Sequence, residues 1–229
     1  MAAQLPNLES SETGSATVKV WDLFVRFAHW TIAAAFFIAY FTEDDFLTLH
    51  VWAGYTVGVL VVLRIIWGFI GPRHAQFSDF LYGPLKVWGY LIELVTFRAK
   101  RYIGHSPAGG AMTILLLIGL AATLWTGLEV YAAEENAGPL AATSREIASA
   151  TGKNPHLLLR VSDDKRYENG ERRDGGEDGA GEFWEDLHEF LANAMLILVI
   201  VHIGGVLLAT VVHRENLTKA MITGRKRAG

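Results

Sequence analysis

Hydrophobic residues along this chain are collected into long runs, and stretches dense in charge separate them. A helix that crosses the hydrocarbon core of a bilayer needs roughly 20 mostly apolar residues, and four runs are long enough. They predict membrane-spanning helices over residues 21–41, 49–70, 109–130 and 183–212. A fifth run, residues 80–97, holds Lys86 and Glu93, and its Gly83-Pro84 step is typical of a helix start. We therefore predict an amphipathic helix there, lying on the membrane surface.

The charges between these runs predict the orientation of the spans. Lys and Arg are in excess between spans two and three and in the C-terminal tail, whereas residues 131–186 carry 13 acidic against 7 basic residues. Because excess Lys and Arg mark the cytoplasmic side, both termini should be cytoplasmic and residues of about 131–182 should form an outer loop. The predicted fold is all-α and integral to the membrane: a four-transmembrane-helix bundle with a cytoplasmic surface helix between helices 2 and 3.

Composition agrees with a membrane protein and narrows its chemistry. Of the 229 residues, 51% are hydrophobic and 19% are charged. The absence of cysteine excludes disulfides, thiolate zinc sites, iron–sulfur clusters and covalently attached c-type haem. A formal net charge of −4 gives no reason to expect nucleic acid as a partner. We expect residues 1–17 to be a disordered cytoplasmic tail and residues 18–229 to be one membrane domain. The sequence is compatible with an oligomer.

Four histidines lie inside the predicted spans or at their ends, where ionisable groups are costly and usually functional. They are His29 in span one, His50 at the start of span two, and His188 and His202 in span four. The last two are 14 residues apart, which is about 21 Å along a helix and within about 40° of the same face. The topology places His29 near the cytoplasmic surface, at the depth of His202. It places His50 near the outer surface, at the depth of His188.

Two depth-matched pairs of imidazoles on facing helices predict two bis-histidine sites. Haem iron takes one axial ligand above the ring and one below it, and the macrocycle has apolar faces that suit a bundle interior. A lone membrane histidine is more often an interhelical hydrogen-bonding group. Zinc also binds histidine, but it needs three or four ligands at one point, which two separate pairs do not supply. Arg64, 14 residues after His50, would either pair with the carboxylates of the inner haem or extend toward lipid headgroups.

The residues around these histidines form motifs: Trp21-Asp22, His29-Trp30, Leu49-His50, Ala53-Gly54-Tyr55, Trp67-Gly68-Phe69, Gly71-Pro72-Arg73-His74-Ala75, Gly104-His105, His188-Glu189 and His202. With these motifs the chain resembles the bacterial cytochrome b561 and Ni,Fe-hydrogenase b-type cytochrome subunit superfamily. The resemblance implies a four-helix membrane cytochrome with two b-type haems. It implies His29 and His202 as ligands of the inner haem iron, and His50 and His188 as ligands of the outer one. Leu23, where many relatives have Pro, and the long outer loop depart from the family pattern.

These observations predict an electron-transfer subunit of an oxidoreductase system in the bacterial inner membrane. Two haem b groups would carry electrons between quinone or quinol and a periplasmic redox partner, either a c-type cytochrome or an oxidoreductase subunit. A stand-alone quinol:superoxide oxidoreductase would share the haems and differ in its acceptor. A His-lined divalent-metal transporter would have no visible chromophore, and an anchor that only tethers a soluble partner would tolerate loss of all four histidines.

Overall fold

The structure is a computed structural model that describes residues 17–43, 46–142 and 178–228. The predicted tail over residues 1–16, and most of the predicted outer loop, lie outside the described residues. Within the described ranges the chain is mostly helical, and two three-residue 3₁₀ turns follow the second helix. The principal elements are β1 (Thr17–Lys19), α1 (Leu23–Phe41), α2 (Leu47–Ile70), α3 (Pro84–Val95), α4 (Pro107–Glu134), α5 (Asp178–His213), α6 (Leu217–Thr223) and β2 (Arg225–Arg227).

Four helices of the described part are long and apolar enough to cross a membrane: α1, α2, α4 and residues Gly181–His213 of α5. The four predicted spans are therefore confirmed, with bounds that differ by a few residues. Helix α1 packs on α2, and α4 packs on both α2 and α5. The fifth apolar run forms the 12-residue helix α3, which begins at Pro84 directly after Gly83, as its sequence predicts.

Short polar side chains cap the starts of α1 and α4. The Asp22 carboxylate accepts a hydrogen bond from the Val25 backbone N–H at 3.0 Å and caps α1. The Ser106 hydroxyl accepts from the Gly109 N–H at 3.2 Å, and Pro107 follows as the first residue of α4. Such caps satisfy backbone donors that a helix start leaves without partners. They fix where α1 and α4 enter the bundle.

A layer of apolar side chains fills the centre of the bundle, formed by Ala35, Phe36, Val57, Val61, Leu120 and Met195. Met195 lies midway along α5 between His188 and His202, and only 2% of it is exposed. A Cβ added to Gly119 of α4 would lie 2.3 Å from the Met195 sulfur. The glycine therefore gives the thioether its space, and the packed layer separates the two ends of the bundle.

A small sheet that the sequence did not predict joins the two ends of the described chain. Strand β1 pairs antiparallel with β2, from Thr17 opposite Arg227 to Lys19 opposite Arg225. Gly224 precedes β2 with φ of +77°, and a Cβ there would lie 2.7 Å from the Trp21 carbonyl oxygen, so only glycine fits. We call the end of the bundle that carries this sheet the sheet end, and the opposite one the far end.

A buried carboxylate ties the C-terminal segment to the loop before α4. Glu215, 7% exposed, accepts two hydrogen bonds from the Arg101 guanidinium at 3.0 and 2.9 Å and one from the Arg227 backbone N–H at 3.0 Å. The ammonium group of Lys226 donates to two carbonyls of the same loop, both at 3.4 Å. These contacts hold the sheet against the start of α4.

Removing the charge of Glu215 should loosen the C-terminal segment. Burial opposes ionisation of Glu215, but the hydrogen bonds from Arg101 and Arg227 outweigh it and lower its pKa. A lowered pKa stabilises the fold above the unfolded value of about 4.3, and this contribution is lost as the pH falls through the lowered value. The substitution Glu215→Gln replaces charge-assisted hydrogen bonds with weaker neutral ones, a loss of about 2 kcal/mol. Amide hydrogen exchange in residues 217–228 at pH 7 should therefore become at least about tenfold faster.

The matched control for this experiment is Glu93→Gln, which neutralises an exposed carboxylate on α3. It should leave exchange in residues 217–228 at the wild-type rate. The prediction fails if the Glu215 variant exchanges there as slowly as the wild type.

Candidate functional site

The bundle brings the four span histidines together as two pairs, one toward each end. The ring centres of His29 and His202 are 6.3 Å apart toward the sheet end, and we call these two the sheet-end pair. The ring centres of His50 and His188 are 6.0 Å apart toward the far end, and these two are the far-end pair. The depth matching inferred from the sequence thus agrees with the geometry.

Hydrogen bonds fix the tautomers of the far-end pair. Nδ1 of His50 lies 2.9 Å from the Ala39 carbonyl oxygen, and Nδ1 of His188 lies 3.0 Å from the Thr123 carbonyl oxygen. A carbonyl oxygen only accepts hydrogen bonds, so Nδ1 carries the proton in both rings. The lone pair of each ring is therefore on Nε2, the nitrogen that remains available as a metal ligand.

The acceptors for these protons were not identified from the sequence. Ala39 lies in the last turn of α1, and its carbonyl oxygen also accepts the backbone N–H of the C-cap residue Thr42 at 3.2 Å. Thr126 adds its hydroxyl, 3.1 Å from Nδ1 of His188. Thr123 and Thr126 are polar residues three apart in a mostly apolar span, and this spacing was the available signal for the contact of α4 with His188.

A cleft that opens to the surface is lined by both rings of the far-end pair. Its wall is mostly apolar and includes Phe36, Val57, Leu120 and Leu124. Nothing lies within 4 Å of a Cβ built on Gly54, which also lines the cleft. Among the described residues that line it, Glu43 carries an ionisable carboxylate and none is Lys or Arg. The wall therefore favours an apolar group over a charged one.

The sheet-end pair has different surroundings. Nδ1 of His29 is buried and has no hydrogen-bond partner among the described residues, and the same holds for Nε of Arg26 and Nδ1 of His105. A buried polar atom without a partner costs about 1–3 kcal/mol. These three atoms are therefore candidates for contact with a bound polar group.

The structure places Arg64 near the sheet end with its side chain buried, 6% exposed. The guanidinium donates to the Ala75 carbonyl at 3.2 Å and lies 5.5 Å from the centre of the Phe77 ring. No hydrogen bond joins it to the sheet-end pair in the described part of the chain. Arg64 thus points toward the 3₁₀ turns after α2, where its charge is not exposed to solvent.

His105 is packed into the sheet end instead of lying free in a loop. Its ring centre lies 4.2 Å from that of Phe80 and 4.6 Å from that of Trp21. Burial, together with the positive charges of Arg64 and Lys226, lowers the pKa of His105 to about 3. The imidazole is therefore neutral at physiological pH. The carboxylate of Asp79 lies on the same side and opposes the two positive charges in part.

In both pairs, the distance between ring centres matches that expected for two imidazoles bound to one metal ion. Two metal–nitrogen bonds of about 2.0–2.1 Å each and two ring radii of about 1 Å each sum to about 6 Å between ring centres. The observed separations agree with that figure. Within the described residues no group of three or more His, Cys, Asp or Glu is arranged to hold a metal ion. The donor sets thus fit a metal whose other ligands come from a bound macrocycle, as in haem.

A four-span helical bundle with paired histidines at two depths defines the class of membrane b-type cytochromes. The chain belongs to the prokaryotic cytochrome b561 family, whose model matches residues 20–224. Membership implies haem b and electron transfer in a membrane, carried by a multi-pass protein.

Three curated relatives are named "Probable Ni/Fe-hydrogenase B-type cytochrome subunit". The protein of Rhodobacter capsulatus is 25% identical over 96% of this chain and 69% of its own length. Those of Bradyrhizobium diazoefficiens and Rhizobium leguminosarum bv. viciae are 26% and 27% identical over 52% and 54% of this chain, and 59% of their own length in each case. No solved structure matches the chain.

The haem should be held without a covalent bond to the polypeptide. The sequence contains no cysteine, so thioether attachment is ruled out. We expect the pyridine haemochrome spectrum of haem b from the purified protein, and complete transfer of the pigment into acidified acetone. Colour that stays with the precipitated chain would contradict this prediction.

Proposed function

We propose that this protein is a di-haem electron carrier that links the quinone pool to a periplasmic redox partner. The four histidines would be the axial ligands of two haem b groups. His29 and His202 would hold the inner haem iron, and His50 and His188 the outer one. The observation that carries the proposal is the presence of two imidazole pairs, one at each end of an apolar bundle, with ring centres 6.3 and 6.0 Å apart.

In this proposal the haem iron and the surrounding protein have different roles. When bound, haem iron supplies one-electron oxidation and reduction at two depths in the membrane. The histidines would hold the iron, and the packed apolar layer around Met195 lies between the two proposed sites. Helix α5 contributes one ligand to each site, so it fixes the spacing between them.

The proposed topology has the sheet end at the cytoplasmic face of the bacterial inner membrane. The basic residues between α2 and α4 and in the C-terminal tail support this orientation under the positive-inside rule. Both termini would then be cytoplasmic, and α3 would lie on the cytoplasmic surface. Helix α3 is 12 residues long, which is too short to span a membrane, and it carries Lys86 and Glu93. Both features support a position on the membrane surface.

We further propose that Arg64 stabilises the carboxylates of the inner haem. The guanidinium is buried near the sheet end and donates a hydrogen bond to the Ala75 carbonyl. An arginine has five N–H donors in a planar fork that matches a carboxylate. Nδ1 of His105 and Nε of Arg26, which have no hydrogen-bond partner in the described part of the chain, lie at the same end of the bundle.

Quinone or quinol would exchange electrons in the membrane, and a c-type cytochrome or an oxidoreductase subunit would exchange them in the periplasm. The names of the relatives make a hydrogenase one partner to test. A quinol:superoxide oxidoreductase would use the same ligands and differ in its acceptor. The metal-transporter alternative has less support, since the described residues hold no cluster of three or more metal-binding side chains.

Removing a ligand from one end should remove one haem. We expect His202→Ala to abolish binding of the inner haem while the outer haem remains at least partly bound, and His188→Ala to do the reverse. Haem per chain, measured by pyridine haemochrome, should fall from about two to about one in each variant, because each axial pair supplies both protein ligands of its iron. His74→Ala, which changes a histidine outside the spans, is the control and should retain two. Retention of two haems in His202→Ala would refute the pairing.

Electron exchange with quinone is tested by mixing. Anaerobic addition of a short-chain ubiquinol to the oxidised protein should reduce its haem absorbance bands within seconds. Subsequent addition of oxidised cytochrome c should reoxidise them. In a separate sample without cytochrome c, oxygen is admitted to the quinol-reduced protein, and superoxide formed by one-electron reduction of that oxygen would identify the alternative acceptor. A haem spectrum that responds to neither quinol nor quinone would contradict the quinone part of the proposal.

A further inference from the structure

Helix α4 contributes no histidine to either pair, yet two adjacent residues of α4 contact His188. The Thr126 hydroxyl lies 3.1 Å from Nδ1 of His188. A Cβ built on Gly127 would lie 2.8 Å from Cε1 of the same ring. Thr126 thus makes a polar contact with His188, and Gly127 leaves room for the His188 ring because it has no side chain.

We propose that Thr126 is a positioning residue of the far-end site and that its hydroxyl lowers the reduction potential of the haem bound there. The proposal rests on the ligand scheme above, in which His188 is an axial ligand. Thr126 is not among the described residues that line the far-end cleft. Its effect passes through the imidazole.

The hydrogen-bond geometry determines the direction of the contact. The Thr126 oxygen lies 3.2 Å from the Ala122 carbonyl oxygen and 3.0 Å from the Thr123 carbonyl oxygen. The hydroxyl hydrogen is donated to one of these carbonyls, since neither of them donates. A lone pair of the hydroxyl oxygen then accepts the Nδ1–H of His188, a proton that the Thr123 carbonyl also attracts at 3.0 Å.

Burial keeps this arrangement in place. Thr126 is 4% exposed and lies in an apolar span, so water has little access to replace its hydroxyl. An acceptor on Nδ1–H makes an imidazole more basic toward its metal. A more basic ligand stabilises ferric over ferrous iron, which lowers the reduction potential.

The sheet-end pair provides an internal comparison. Nδ1 of His29 has no hydrogen-bond partner among the described residues, whereas both rings of the far-end pair have one. A change at Thr126 should therefore affect one haem and leave the other as it was. This selectivity separates tuning of a ligand from a general loosening of the bundle.

The test is a spectroelectrochemical redox titration of the purified holoprotein. We expect Thr126→Val, which keeps the shape and removes the hydroxyl, to shift the wave of the far-end haem to higher potential and leave the other wave unchanged. Thr126→Ser keeps the hydroxyl and should restore the wild-type value. Thr113→Val is the matched control, because Thr113 makes the same contact to the fourth preceding carbonyl of α4, at 2.9 Å. It should shift neither wave.

The His188→Ala protein separates failure of this proposal from failure of the ligand scheme. If it loses one haem, the wave that disappears belongs to the far end, and an unmoved far-end wave in Thr126→Val overturns the role of Thr126. If it keeps two haems, the ligand scheme itself is wrong and this proposal falls with it. Thr126→Ala removes the same hydroxyl and replaces Thr126→Val if that protein does not accumulate.

Gly127 gives a second, independent measurement. Gly127→Ala should displace the His188 ring and lower far-end haem occupancy, or broaden and shift its wave. Gly89→Ala, at a position where nothing lies within 4 Å of the new Cβ, should do neither. Wild-type occupancy and potential in Gly127→Ala would refute the contact between α4 and the ligand.

Discussion

An imidazole inside an apolar bundle needs a partner for each of its two nitrogens, and much of this structure follows from that constraint. An unpaired buried polar atom costs about 1–3 kcal/mol, and the side chains that fill the centre of the bundle are apolar. At the far end, α1 satisfies Nδ1 of His50 through the Ala39 carbonyl, and α4 satisfies Nδ1 of His188. The second nitrogen of each ring is left for a shared ligand. The packing of α1 on α2 and of α4 on α5 thus also orients the far-end histidines for ligand binding.

The two ends of the bundle differ under this constraint. The far end uses helix carbonyls, a threonine hydroxyl and an apolar cleft with no Lys or Arg in its described lining. At the sheet end, Nδ1 of His29 has no partner among the described residues, and the charged side chains of Arg64, Lys226 and Asp79 lie near the neutral His105. The sheet end therefore offers charged groups to a bound ligand, whereas the far end offers mainly apolar surface.

Much of the fold could be predicted from the sequence because a helix that spans a membrane must be long and mostly apolar. Apolar length identified the four spans, and Gly83-Pro84 marked the start of α3. The pairing of histidines by depth followed from helix rise and orientation alone. The acceptors could not be found this way, because a backbone carbonyl such as that of Ala39 has no sequence signature. The three-residue strands were missed since strands so short carry no periodicity, and the contact of Arg64 with Ala75 depends on how the chain turns after α2.

The small sheet has a consequence for the order in which the fold forms. Strand β1 precedes α1 and strand β2 follows α6, so all four spanning helices lie between the two strands in the sequence. Contacts of such high sequence separation close a long loop and form slowly. We therefore expect the spans to pack on one another before the two strands pair, which makes the sheet end the last part of the bundle to close.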